Sequence, residues 1–213
     1  DFPDLFMHFW DMLKAYFSFL AVLLCLVASF SLNAQVVTIN PTFPTENDAV
    51  TITFDASQGN KGLEGFTSDV YAHTGVVTDK TVATNGWTNV QGEWGTSNAP
   101  KLTSLGNNLY ELKIDDIRSF YSVASADEVL KIAILFRNEA GDKAGRAADG
   151  GDIFIDIYKS GLVAQITSPQ NNQVFGNNNS ITLEGSSSDD ATLILFLDGQ
   201  QHATAPGKEI SSS

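Results

Sequence analysis

Ala49-Val50-Thr51-Ile52-Thr53-Phe54 alternates apolar and polar residues from Val50 onward. Successive side chains of a strand point to opposite faces, so Val50, Ile52 and Phe54 share one face. The period of two predicts a strand with one buried side. It is preceded by Val36-Val37-Thr38-Ile39 and then Asn40-Pro41-Thr42-Phe43-Pro44, an edge strand stopped by prolines that cannot donate to a sheet ladder. A proline-rich entry followed by an alternating strand is how many extracellular immunoglobulin-like sandwiches begin.

Working outward, the same pattern recurs. Residues 55–67, DASQGNKGLEGFT, form a glycine-punctuated loop. Asp69 to Thr74 resumes a strand in which Val70 and Ala72 share one face and Tyr71 and His73 the other. The pair Asn85-Gly86 predicts a hairpin turn into Trp87-Thr88-Asn89-Val90-Gln91. Asn107-Asn108 turns into the strand Leu109 to Ile114. Ile117 to Val123 reads as a connection that brings in Phe120 and Tyr121. Val129 to Phe136, VLKIAILF, is the most hydrophobic run and the expected central strand, and Ile153 to Tyr158 is the last. About seven strands separated by turns predict an all-β fold, an immunoglobulin-like antiparallel β-sandwich over residues 36–160. Lys159-Ser160-Gly161 marks a boundary. Beyond it, Val163 to Pro169, Ser180 to Glu184 and Thr192 to Leu197 predict three strands. They open a second immunoglobulin-like module over residues 162–213, incomplete because three strands cannot close a sandwich.

The N-terminus reads differently. Met12 and Lys14 precede the apolar run Phe17 to Phe30, which leads to small residues around Ala34. This order describes a secretory signal peptide over residues 12–34, expected to be helical and cleaved near Ala34. Its apolar run is short for a membrane span, which needs about 20 residues. Residues 1–11, DFPDLFMHFWD, place acid where a signal peptide carries base and read as an upstream extension. Cys25 lies inside the apolar run behind Leu24, not behind the small residue that lipidation needs. The exported chain therefore has no cysteine and no disulfide, and is expected to be secreted or held at the cell surface, with no membrane partner after cleavage.

The formal net charge of −13 over 213 residues, without any basic patch, argues against a nucleic-acid partner. The chemically distinctive stretch is Tyr71 to Trp94, YAHTGVVTDKTVATNGWTNVQGEW. It holds a tyrosine, the one histidine between residues 36 and 160, and two tryptophans among small polar residues. Flat rings beside hydroxyl and amide groups suit a sugar, whose C–H face stacks on a ring while neighbours bond its hydroxyls. Tyr71, His73, Trp87 and Trp94 are the expected carbohydrate contacts. The competing reading makes Trp87 and Trp94 core residues. Their odd separation would turn the two rings to opposite faces of a straight strand, unless Gly92 hosts a bulge.

Further along, VYAHTGVVTDK, GEWG, IRSFY, KIAILFRN and DGGDIFIDIY follow VTINPTFPTENDAVTITFDASQGNKGL. Together they resemble the N-terminal module of secreted alpha-amylase-family glycoside hydrolases from Bacteroidetes, over about residues 36–200. More distantly the order is similar to starch-binding β-sandwich modules. The resemblance implies a role in α-glucan use, with polysaccharide as partner. In those proteins a catalytic barrel follows an immunoglobulin-like segment that opens as ITSPQNNQVF does, so the catalytic carboxylates would lie beyond Ser213.

Within the present residues no enzyme is expected. Asp149-Gly150-Gly151-Asp152 reads as a turn whose side chains bond local backbone. No metal site is assigned, although Asp142, Asp149 and Asp152 are oxygen donors of the kind calcium takes, without EF-hand spacing. Arg137, Asn138 and Arg146 are expected to pair with Asp149 or Asp152 rather than to meet a sugar. Two functions remain: a noncatalytic α-glucan-binding module attached to a glycoside hydrolase, or a structural spacer or adhesin-like sandwich with no ligand of its own.

Overall fold

The computed structural model describes residues 35–81, 86–169, 174–175 and 180–213. The expected upstream extension, the signal-peptide helix and the Asn85 side of the Asn85-Gly86 turn lie outside them. Among the described residues, no helix is long and apolar enough to cross a membrane.

The chain is all-β and its ladders are antiparallel. One sheet joins β1 (Val37–Asn40), β2 (Val50–Asp55), β6 (Leu109–Ile114) and β5 (Thr103–Gly106) in the order β1-β2-β6-β5. A second runs β4 (Thr88–Gln91), β3 (Val70–Thr78), β7 (Val129–Asn138) and β8 (Ala144–Gly145), with β9 (Ile153–Asp156) also paired to β7. The expected central strand is indeed central: β7 pairs with β3 over its whole length, with β8 at one end and with β9 at the other.

The apolar alternation read from the sequence is what joins these two sheets. Val50, Ile52 and Phe54 of β2, with Tyr110, Leu112 and Ile114 of β6, form one core with Val70, Ala72 and Val76 of β3 and Ile132, Ile134 and Phe136 of β7. Phe54 stacks on Phe136 with ring centroids 4.0 Å apart. Gly145 makes that contact possible, because a Cβ there would lie 2.4 Å from the Phe54 ring. Close packing of this kind leaves no room for even one extra methyl group.

Three local features differ from the sequence reading. The IRSFY connection is a short helix, α1 (Ile117–Tyr121), started by the Asp116 side chain accepting from the Ser119 amide and ended by Ser122 in the left-handed region. Its Ile117 and Tyr121, one turn apart, both enter the core. Burial holds the Tyr121 phenol far above its usual range, and its hydroxyl meets Thr74 Oγ1 at 2.7 Å. β5 and β8 are strands that the sequence did not announce. β5 is exposed along its whole length and so carries no alternation, while β8 has two residues.

Residues after Gly161 form a third sheet, β10 (Ala164–Ser168), β11 (Leu183–Leu197) and β12 (Gln200–Ser212). The two strands expected at 180–184 and 192–197 fall on one strand, β11, which begins only at Leu183 and runs on through Ser186–Asp190. Its pairing with β12 absorbs those polar residues in a register shift between Ser186 and Ala191. Leu195 and Ile210 are buried here, whereas Ile166, Ile194, Phe196 and Leu197 are exposed.

Candidate functional site

β3 has two faces. Val70, Ala72 and Val76 enter the core, and between them Thr74 donates its hydroxyl to Ala133 O at 2.8 Å. Tyr71, His73, Gly75 and Val77 therefore point to the opposite side of the sheet. Across the ladder they lie beside Arg137, Leu135, Ala133 and Lys131 of β7.

The segment from Gly86 to Leu102 runs along the edge of β3, and its Gly92–Thr96 part reaches over this outer face to His73 and Arg137. β4 pairs with β3 at Thr74 and Val76. Farther along, Ala72 N donates to Pro100 O at 2.8 Å and Leu102 N to Val70 O at 2.9 Å. Between these attachments the chain turns at Gly92, whose φ is +93°. A Cβ at Gly92 would stand 2.8 Å from Ala72 O, so glycine is needed for both conformation and closeness. Gly92 O in turn lies 2.8 Å from His73 Nδ1. A carbonyl only accepts, so Nδ1 carries the proton and, in the neutral ring, Nε2 is an acceptor.

His73 is the centre of an aromatic cluster. Trp87 meets it edge-on with centroids 5.5 Å apart, and Trp94 does so at 5.4 Å. Trp87 is half-buried and occupies the space above Gly75, where a Cβ would lie 3.1 Å from its ring. Trp94 remains 44% exposed, so ring surface is available to a ligand. Its other support is Gly141, at φ +76°, where a Cβ would come within 2.5 Å of the indole nitrogen. Val90, also exposed, lies against the same Gly75 position.

Of the four residues singled out from the sequence, three come together, and the fourth, Tyr71, lies on the expected face but is covered. Tyr71 is on the outer face of the sheet but only 5% exposed. The Arg137 guanidinium packs 5.6 Å from its ring centre, and the Tyr71 backbone is bridged to Lys101. Tyr71 is thus part of the floor and not a contact surface. Neither tryptophan belongs to the inner core cluster.

Arg137 is the residue whose place the sequence did not reveal. It was expected to pair with Asp149 or Asp152, but Asp152 is held by Arg146 at 2.8 Å and Asp149 accepts from the Gly151 amide. Arg137 is instead fully buried. Its Nη1 donates to Asn138 O and Glu139 O, both at 2.9 Å, and its Nη2 to Glu93 O at 2.5 Å and Thr96 O at 2.9 Å. The guanidinium carbon also lies 5.7 Å from the Trp94 ring centre. Burial pulls the guanidinium below its ordinary value, while nearby Tyr71 and Glu139 oppose the shift. The signal in the sequence was the Arg after an unbroken apolar run, a cation with no room to leave the sheet.

The remaining carboxylates serve local structure. Asp142 accepts from Asn138 Nδ2 at 2.6 Å, and Asp156 pairs with Lys131. Among the described residues, no group of three His, Cys, Asp or Glu side chains is placed to hold a metal ion. A groove of about 710 Å³ lined by Asn40–Phe43, Glu184–Ser188 and Lys208–Ser211 shares no residue with the aromatic cluster. Trp94 is the exposed ring of the cluster, an indole surface able to stack on a flat apolar ligand face, and His73 Nε2 is an acceptor beside it.

No curated protein matches the chain. Residues 37–144, just over half of its 213 residues and the span that carries Tyr71, His73, Trp87, Trp94 and Arg137, match the sequence profile of a domain of unknown function, DUF8578, and the chain belongs to that family.

Proposed function

We propose that residues 36–160 are a noncatalytic α-glucan-binding module of an exported alpha-amylase-type glycoside hydrolase. Its role is to keep the attached catalytic domain on starch by raising its effective concentration at an insoluble substrate. The observation that carries this reading is the contact of His73 with both Trp87 and Trp94, at 5.5 and 5.4 Å, beside an indole that is 44% exposed. A pyranose presents an apolar C–H face to such a ring and a rim of hydroxyls to groups such as His73 Nε2. The amylase attachment and the choice of α-glucan rest on the resemblance of the YAHTG, LFRN and DGGDIF motifs. Tyr71, being buried, supports the platform rather than touching the sugar. No catalytic residue is assigned in this chain.

Affinity electrophoresis of the full chain in gels containing amylose, pullulan or laminarin tests the reading. Wild type should be retarded by the α-glucans and not by laminarin. Trp94→Ala, shown by circular dichroism to be folded, should bind on the order of tenfold more weakly, the size of one stacking contact. Trp87→Ala should weaken binding as well. Free migration in all three gels would remove the glucan reading and leave the spacer.

A further inference from the structure

Among the described residues, Arg137 has the largest side chain fully withdrawn from solvent, and it makes no ion pair. A buried cation without a counter-charge is costly, and here backbone carbonyls replace the carboxylate. Those carbonyls come from two separate stretches, Glu93 and Thr96 on one side and Asn138 and Glu139 on the other. Its Nε is buried without a hydrogen-bond partner, so the side chain is aimed at bridging the stretches and not at satisfying itself. Only a planar fork of donors reaches both at once; the lysine ammonium is a single point. With no exposed surface, Arg137 cannot touch a sugar.

We infer that Arg137 is a positioning residue, which pins the Glu93–Thr96 segment to the sheet and sets the Trp94 ring beside His73 before any ligand arrives. The ring is held from three sides: the guanidinium, the His73 edge and the bare backbone of Gly141. A platform assembled in advance spares the ligand the entropy of ordering it. The consequence for affinity rests on the glucan reading; the consequence for the free protein does not.

The test uses the full chain, labelled with ¹⁵N, as wild type, Arg137→Lys and Arg137→Met, with Trp94→Phe to assign the indole. In wild type the Glu93–Thr96 amides and the Trp94 indole should show order parameters near 0.85, as for rigid backbone, falling toward about 0.6 in Arg137→Lys while β7 stays rigid. Amylose affinity of Arg137→Lys should drop on the order of tenfold. A Glu93–Thr96 segment already mobile in wild type, or equally rigid in Arg137→Lys, overturns the inference. Should Arg137→Met fail to fold, the wild-type and lysine measurements still decide it. If wild type does not bind amylose, the glucan reading falls alone and the order parameters judge Arg137. If wild type and a loosened Arg137→Lys bind equally, preorganisation by Arg137 is refuted and the glucan reading stands.

Discussion

The two faces of β3 are both largely withdrawn from solvent, the inner one by a second sheet and the outer one by a loop. On the inner face Val70, Ala72 and Val76 meet aliphatic and aromatic side chains, led by the Phe54–Phe136 stack. That burial is non-directional and grows with apolar area. On the outer face the covering segment is held by directional contacts: His73 to Gly92 O, Arg137 to Glu93 O and Thr96 O, and backbone bonds joining Pro100 to Ala72 and Leu102 to Val70. The difference separates two duties along one strand. The inner face supplies stability, whereas the outer face fixes where two indoles sit and can leave one of them partly in water.

The sharpest way to break this division is to attack the inner face. Phe136→Ala should cost about 3–5 kcal/mol, read from urea denaturation, since it removes a fully buried ring and leaves a cavity. A loss below about 1 kcal/mol would mean that the sheets do not depend on that stack.

On the outer face, Gly75→Ala should cost about 1–3 kcal/mol through overpacking and should also change the near-ultraviolet circular dichroism of the indoles. The new Cβ would meet Thr88 O at 2.7 Å and the Trp87 ring at 3.1 Å. Amylose retardation should fall in parallel. An unchanged indole spectrum would show that Trp87 is not seated on β3.

Alkaline titration sharpens the comparison from the inner side, where Tyr121 reaches Thr74. Burial raises the folded-state phenol well above its usual value, so the unfolded chain ionises first. Tyr121 therefore stabilises fully below the ordinary tyrosine range, and that stability declines as pH climbs past about 10, by up to ~1.4 kcal/mol per pH unit. Tyr121→Phe should show a shallower decline above pH about 10, at the cost of roughly 1 kcal/mol at neutral pH for the lost hydrogen bond to Thr74. The raised Tyr110 and Tyr158 phenols keep some slope in the variant. Identical alkaline limbs would dissociate Tyr121 from the effect.

The smallest change belongs to the rim. Lys131 and Asp156 pair across β7 and β9, with both side chains exposed. Lys131→Ala should alter stability by less than about 1 kcal/mol and leave amylose retardation as it was. A larger loss of binding would extend the site toward Phe154, exposed on the neighbouring strand.

How much of this was legible follows from the range of each signal. Period-two alternation revealed β2, β3 and β6, because a strand buried on one face writes its orientation into adjacent residues, and β7 was revealed by its continuous apolar run, since both of its faces are buried. It could not reveal β5, which has no buried face, nor separate α1 from a loop, since five residues hold too little period. At the site, the outward direction of Tyr71 and His73 was readable from their neighbours, and the sugar-suited composition of Tyr71 to Trp94 was readable from residue types. That Tyr71 is covered was not, because Arg137, which packs on its ring, is dozens of residues away in the chain.

By itself, then, the sequence determined the all-β class, the inner faces of the main strands and the stretch in which the clustered rings lie. These depend on local alternation and residue chemistry. Only the tertiary structure decided that His73 stands between Trp87 and Trp94, that Trp94 keeps an open face while Tyr71 loses its own, and that Arg137 is caged by carbonyls. Each of those outcomes is set by contacts between segments distant in sequence, whose meeting no short-range pattern encodes.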